Sequence, residues 1–136
     1  MKYLVSILLI FYMLGLAAQA TDFLIGKWQV VQSLSPKGAP PKMEKELNKL
    51  KEIYEGANFE FLPDNKFNLI AKDPQNNIQE AYWVYNSATK SIKVCKWENR
   101  GQLKPLLLEL SARTEKDGNT YFWFDVVPVA LKVKKL

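Results

Sequence analysis

From Gly56 to the C-terminus the sequence is a succession of short alternating apolar runs separated by turn-forming clusters. No other feature restricts the fold as much. Phe59 and Phe61 alternate, Pro63-Asp64-Asn65 turns the chain, and Phe67, Leu69 and Ala71 alternate again. Further turn clusters stand at Asp73 to Asn77, Asn86 to Thr89, Glu98 to Gly101 and Glu115 to Asn119. They delimit strands at Ile78 to Tyr85, Ser91 to Trp97, Leu103 to Ser111 and Thr120 to Val127. Pro128 cannot donate to a ladder and marks a bend before a last strand, Val129 to Lys135. With a first strand from Lys27, the count is eight. Hairpin turns at roughly every 8 to 15 residues suit an all-β fold, an eight-stranded antiparallel up-and-down β-barrel, which leaves no exposed sheet edge. A sandwich has the same strand count but needs a long crossover where this sequence has only hairpin turns.

The single long connection, between the first and second strands, contains a helix. Pro36, Gly38, Pro40 and Pro41 break the strand pattern, and from Lys42 the apolar period changes. Met43, Leu47, Leu50 and Tyr54 recur at four, three and four residues and share one helical face. Pro41 suits the first helical position, Glu44 and Glu46 its positive end, and Gly56 the C-terminal cap. Lysines and glutamates on the other face balance, so the helix reads as a lid packed on its own domain. Before the first strand, Asp22 to Ile25 reads as a short helical turn.

The first 20 residues read as a signal peptide. Lys2 precedes an apolar run from Tyr3 to Leu16, and Ala18-Gln19-Ala20 closes it with a small-x-small cleavage pattern. That run is too short for a stable span, so the mature chain, residues 21–136, is expected to have no transmembrane segment. Removing Lys2 takes the formal net charge from +5 to +4. The product is expected to be exported, to the periplasm or outside the cell, as one barrel domain.

Absences in the composition exclude several chemistries. The chain has no histidine and one cysteine, Cys95. A Ser-His-Asp or Cys-His nucleophile, a His-ligated zinc site and an internal disulfide are therefore impossible. Asp64, Asp73 and Asp117 sit in turns, where bonding to local backbone accounts for them. Asp73-Pro74-Gln75-Asn76-Asn77 lacks the second carboxylate of a Ca²⁺ loop. No enzyme activity, metal or cofactor is expected. Cys95, in an alternating segment, reads as a small buried hydrophobe. Without disulfides the domain depends on apolar burial, and its 12% aromatic content supplies large rings.

Strand parity nominates the side chains that face the lumen. On Thr120 to Val127 the charge-free face is Phe122, Phe124 and Val126; on Leu103 to Ser111 it is Leu106, Leu108 and Leu110. Phe59, Phe61, Phe67 and Leu69 complete a lining rich in rings. In Ile78 to Tyr85, parity alone leaves Tyr82 and Val84 in competition with Trp83 and Tyr85.

A family resemblance adds to this reading. Gly26-Lys27-Trp28, after a short helical turn, resembles the Gly-x-Trp motif that opens the first strand of lipocalins. The segment from Phe59 to Phe67 resembles the second hairpin of small bacterial lipocalin-like domains, and Trp83-Val84-Tyr85-Asn86 resembles their tryptophan-bearing strand. The chain departs from the standard pattern: it has no Thr-Asp-Tyr motif, and the last strand has Lys132, Lys134 and Lys135 where an arginine normally covers the tryptophan. The resemblance is to a divergent, calycin-like member of the group. It implies that Trp28 plugs the closed end, that Gly26 allows close packing at the strand entry, and that Trp83 faces inward.

The lining residues Phe59, Phe61, Phe67, Trp83, Leu108, Phe122 and Phe124 are thus the candidate contacts for a small hydrophobic or amphipathic molecule. The same side chains could instead fill the lumen as core, which would suit a non-enzymatic interaction module, an inhibitor or accessory protein with a protein partner. Positive charge concentrates in Lys90 to Lys104 and in Leu131 to Leu136, without the Gly-rich loop or aromatic interleaving of nucleic-acid binders. No nucleic-acid partner is expected. Solvated strand edges account for the lysines, and an anionic partner is the alternative.

Overall fold

A computed structural model describes residues 22–35 and 40–136. The expected signal peptide lies outside the described residues. Eight strands close into a barrel in sequence order: β1 (Gly26–Leu34), β2 (Asn58–Phe61), β3 (Lys66–Ile70), β4 (Ile78–Asn86), β5 (Ser91–Lys96), β6 (Leu106–Thr114), β7 (Thr120–Phe124) and β8 (Ala130–Lys135). Every neighbouring pair is antiparallel, and β8 pairs with β1 to close the ring. One helix, α1 (Pro41–Tyr54), lies between β1 and β2. No helix among the described residues is long and apolar enough to cross a membrane.

The helix ends where its sequence says it should. Pro41 occupies the first turn with no N–H to leave unsatisfied, and Gly56 takes a left-handed φ of 75° just past the end. Leu47 and Tyr54 are buried and Leu50 packs against the core, whereas Met43 points largely to solvent. The shared apolar face therefore runs from Leu47 to Tyr54.

Three register shifts bend the ladders: β1 has the extra residue, Val31, against β8; β4 has one between Ile78 and Ala81 against β3; and β6 has one, Leu107, against β5. Each lets one strand carry an extra residue and twist more tightly, which a closed eight-stranded sheet needs. The third accompanies the largest departure from the expected strand limits. β6 begins at Leu106 rather than Leu103, because the chain takes φ 53° at Leu103 and enters the ladder late. β7 stops at Phe124. Val126, expected to face the lumen, is instead 88% exposed in the bend that leads to β8.

Inside the barrel sits one continuous apolar cluster that includes Leu24, Trp28, Phe59, Phe61, Phe67, Trp83, Ile92, Leu110, Phe122 and Leu131. Outward positions carry charge, and Lys27 Nζ reaches Glu60 Oε1 across β1 and β2 at 3.5 Å.

Candidate functional site

Six of the seven residues nominated for a ligand are buried in the core cluster of the barrel, and the seventh, Phe124, packs against it from the rim. Phe59, Phe61, Phe67 and Phe122 are 0% exposed and Trp83 is 1% exposed. Phe61 is the hub, with ring centroids of Phe67 and Trp83 each at 5.2 Å, Phe122 at 5.9 Å and Phe59 at 6.5 Å. Phe59 meets Phe122 edge to face at 5.4 Å. Such offset and T-shaped pairs contribute about 0.5–1.5 kcal/mol each beyond area burial. Leu108 is buried beside them, and Phe124 is half-buried at the helix end of the barrel. At 0% exposure the four phenylalanine rings pack against one another and take up this part of the lumen themselves.

Trp83 faces inward for a reason that alternation alone did not contain. Its indole Nε1 donates to Leu62 O at 3.1 Å, and Asn65 Nδ2 donates to Trp83 O at 3.0 Å. The turn Pro63–Asn65, with Asp64 and Asn65 both at positive φ, is thereby tied to β4 from below. Tyr82 takes the other side and packs edge to face on Trp97 at 5.8 Å.

The two ends are closed differently. At the end where β1 begins, Trp28 is 6% exposed; its Nε1 donates to Leu24 O at 2.9 Å and its ring meets Phe122 at 5.7 Å. Lys135 covers this tryptophan. Its Nζ lies 5.5 Å from the ring centroid and donates to Phe23 O at 3.0 Å, latching the N-terminal turn to the last strand. The lysine thus stands over the tryptophan. The parity of Leu131, Val133 and Lys135 on β8 was the available signal. At the other end Tyr54 of α1 stacks on Phe59 at 6.1 Å and tilts on Phe124 at 5.0 Å. Burial pushes the Tyr54 phenol above its ordinary range.

Gly26 is required where it stands. Its φ is 137°, and a Cβ there would lie 2.9 Å from Lys135 Cε. Gly26→Ala is expected to cost about 1–3 kcal/mol through backbone strain, read as a lowered urea midpoint. An unchanged midpoint would show that the entry to β1 relaxes freely.

No protein-family model matches the chain, and no curated protein matches it. The chain is similar to a solved protein of the DUF4847 family from Bacteroides vulgatus, at 16% identity and a TM-score of 0.48, over 84% of this chain and 96% of that one.

Outside the lumen, several recesses mark the surface formed by the described residues. One of about 430 Å³ lies beside Val84, Lys93 and Leu103. Another, about 410 Å³, lies between Glu80, Lys96 and Trp97. Arg100 and Lys66 cover the Trp97 ring at 4.9 and 5.9 Å, which explains how a large indole is kept at the surface. A third, about 520 Å³, runs along β8. No group of three or more acidic, cysteine or histidine side chains able to hold a metal occurs among the described residues.

Cys95 is fully buried opposite Tyr82, and burial pushes its thiol pKa up. A protonated, enclosed thiol is a poor nucleophile. The native protein is expected to resist iodoacetamide at neutral pH and to be alkylated once in denaturant. Rapid stoichiometric labelling of the native chain would contradict this. Asp117 belongs to its turn, accepting from Asn119 N and from the Tyr121 hydroxyl, each at 2.9 Å. The Asn119 bonds come first among the causes that hold its carboxyl below the usual range.

Proposed function

We propose that this chain is an exported, non-enzymatic barrel of the lipocalin-like kind that acts as an interaction module, meeting a protein partner with its outer surface. The observation that carries this reading is the occupied lumen: five rings at 0–1% exposure, packed against one another where a carried molecule would have to sit. A carrier needs a cavity of about 300 Å³ or more lined by a few convergent polar groups. Among the described residues no polar or charged side chain is buried, and recesses of that size lie on the outer surface. The absence of histidine and the single buried thiol support a non-catalytic role, and the sequence of the first 20 residues supports export.

A second reading keeps the small hydrophobic or amphipathic ligand in the lumen. It is favoured by one feature, the Tyr54 lid: at the helix end, the Tyr54 ring stands on Phe59 and Phe124. Lifting α1 would expose those rings. Native mass spectrometry of the purified protein separates the two. The module is expected to give the mass of the polypeptide alone, and a retained small molecule would overturn it in favour of the carrier.

A further inference from the structure

The recess along β8 has the chemistry of an anion site, and three observations define its ligand. First, Lys132, Lys134 and Lys135 line it, and no carboxylate does. Among the described residues none of the three has an ion-pair partner, although Lys27 on the neighbouring strand is paired with Glu60. The nearby carboxylate that feels a lysine here, Asp117 beside Lys132, is already engaged by Asn119 and Tyr121, and like charges gathered with so little counter-charge cost stability unless something negative meets them. Second, Lys132 and Lys134 sit at alternate positions of one strand and point to the same side, so their backbone origins are about 6.8 Å apart. Third, the recess is part apolar. Val31, the unpaired residue at the register shift on β1, is 47% exposed beside the lysines, and Asn119 on the β6–β7 hairpin borders the opposite end.

We propose that this groove receives an extended acidic segment of the partner protein, with carboxylates at alternate positions facing Lys132 and Lys134 and an apolar side chain against Val31. This rests on the module reading and gives the partner its chemistry. The side-chain repeat of an extended peptide equals the lysine spacing, whereas a compact anion such as free phosphate spans only one step of it. A closed barrel offers no free edge, so recognition is by side chains and not by strand addition. Single-stranded nucleic acid is disfavoured because it needs an open ring on which to stack, and the indole in this groove is 6% exposed under Lys135.

The test is fluorescence anisotropy of the purified protein with a labelled eight-residue peptide of alternating glutamate and leucine, and with its glutamine counterpart. The glutamate peptide is expected to bind with an affinity that falls at least tenfold in Lys132→Gln/Lys134→Gln. The charge-matched Lys42→Gln/Lys45→Gln variant on α1 should stay within twofold. The Lys135 latch is left intact so that folding is not at issue. Equal losses in both variants, or equal binding of the glutamine peptide, would overturn the proposal. So would lysine-dependent binding of polygalacturonate in place of the peptide, which would make the groove a glycan site. Uptake of an apolar dye into the lumen would remove the module reading and leave this peptide result unaffected, so the two failures can be told apart.

Discussion

Phe61→Ala is expected to destabilise the barrel by about 3–5 kcal/mol, a large share of the roughly 5–15 kcal/mol that holds a small domain folded. Phe61 touches Phe59, Phe67, Trp83 and Phe122 at once, and two neighbouring strands fix the backbone on either side of it. The surrounding rings cannot collapse into the gap without leaving their own pairings, so most of the void persists and the cavity cost adds to the lost transfer energy. Urea unfolding should show a lower midpoint with an unchanged slope. The void would be apolar and dry, and benzene should raise the variant's midpoint but not that of the parent. A loss under about 1 kcal/mol would mean that the ring borders empty space already.

Phe122→Asn should do still more damage, and its partner in the alternation should not. At position 122 the change removes a fully buried ring that contacts Trp28, Phe59 and Phe61. It also leaves an amide with no polar neighbour in the cluster, a further cost of about 1–3 kcal/mol. The variant is expected to be largely unfolded by near-ultraviolet circular dichroism. Phe124→Asn lies two residues on along the same face, but there the ring is half-buried against Tyr54 at the rim, where an amide can reach water. That variant should fold and lose about 1–2 kcal/mol. Equal tolerance at both sites would be the behaviour of a solvent-accessible pocket.

Much of this architecture was legible from residue order. Alternation with turn clusters sufficed for eight antiparallel strands, and the change of period at Lys42 sufficed for α1. Parity correctly turned Phe59, Phe61, Phe67, Leu108 and Phe122 inward. It failed where the chain departs from a regular ladder. The turn that runs on to the left-handed Leu103 delays the start of β6 by three residues, the register shift inside β6 adds Leu107, and Val126 is lost to the bend before Pro128. Bulges of this kind arise from the closure of the whole sheet and leave no local signal. Lys135 was legible in principle, since it shares a side with Leu131 and Val133, but a terminal lysine reads first as a solvated group. Whether the lining rings leave space between them is a question of volumes and rotamers, which alternation does not encode.

The lumen is therefore the point on which the function turns, and a titration of the purified native protein with the neutral apolar dye Nile red tests it most directly. A ring-filled barrel is expected to give no saturable rise in dye emission, at any ratio of dye to protein, until denaturant loosens the core. A saturable, stoichiometric rise in the native state, competed away by a second apolar molecule, would contradict the filled lumen and restore the barrel as a carrier.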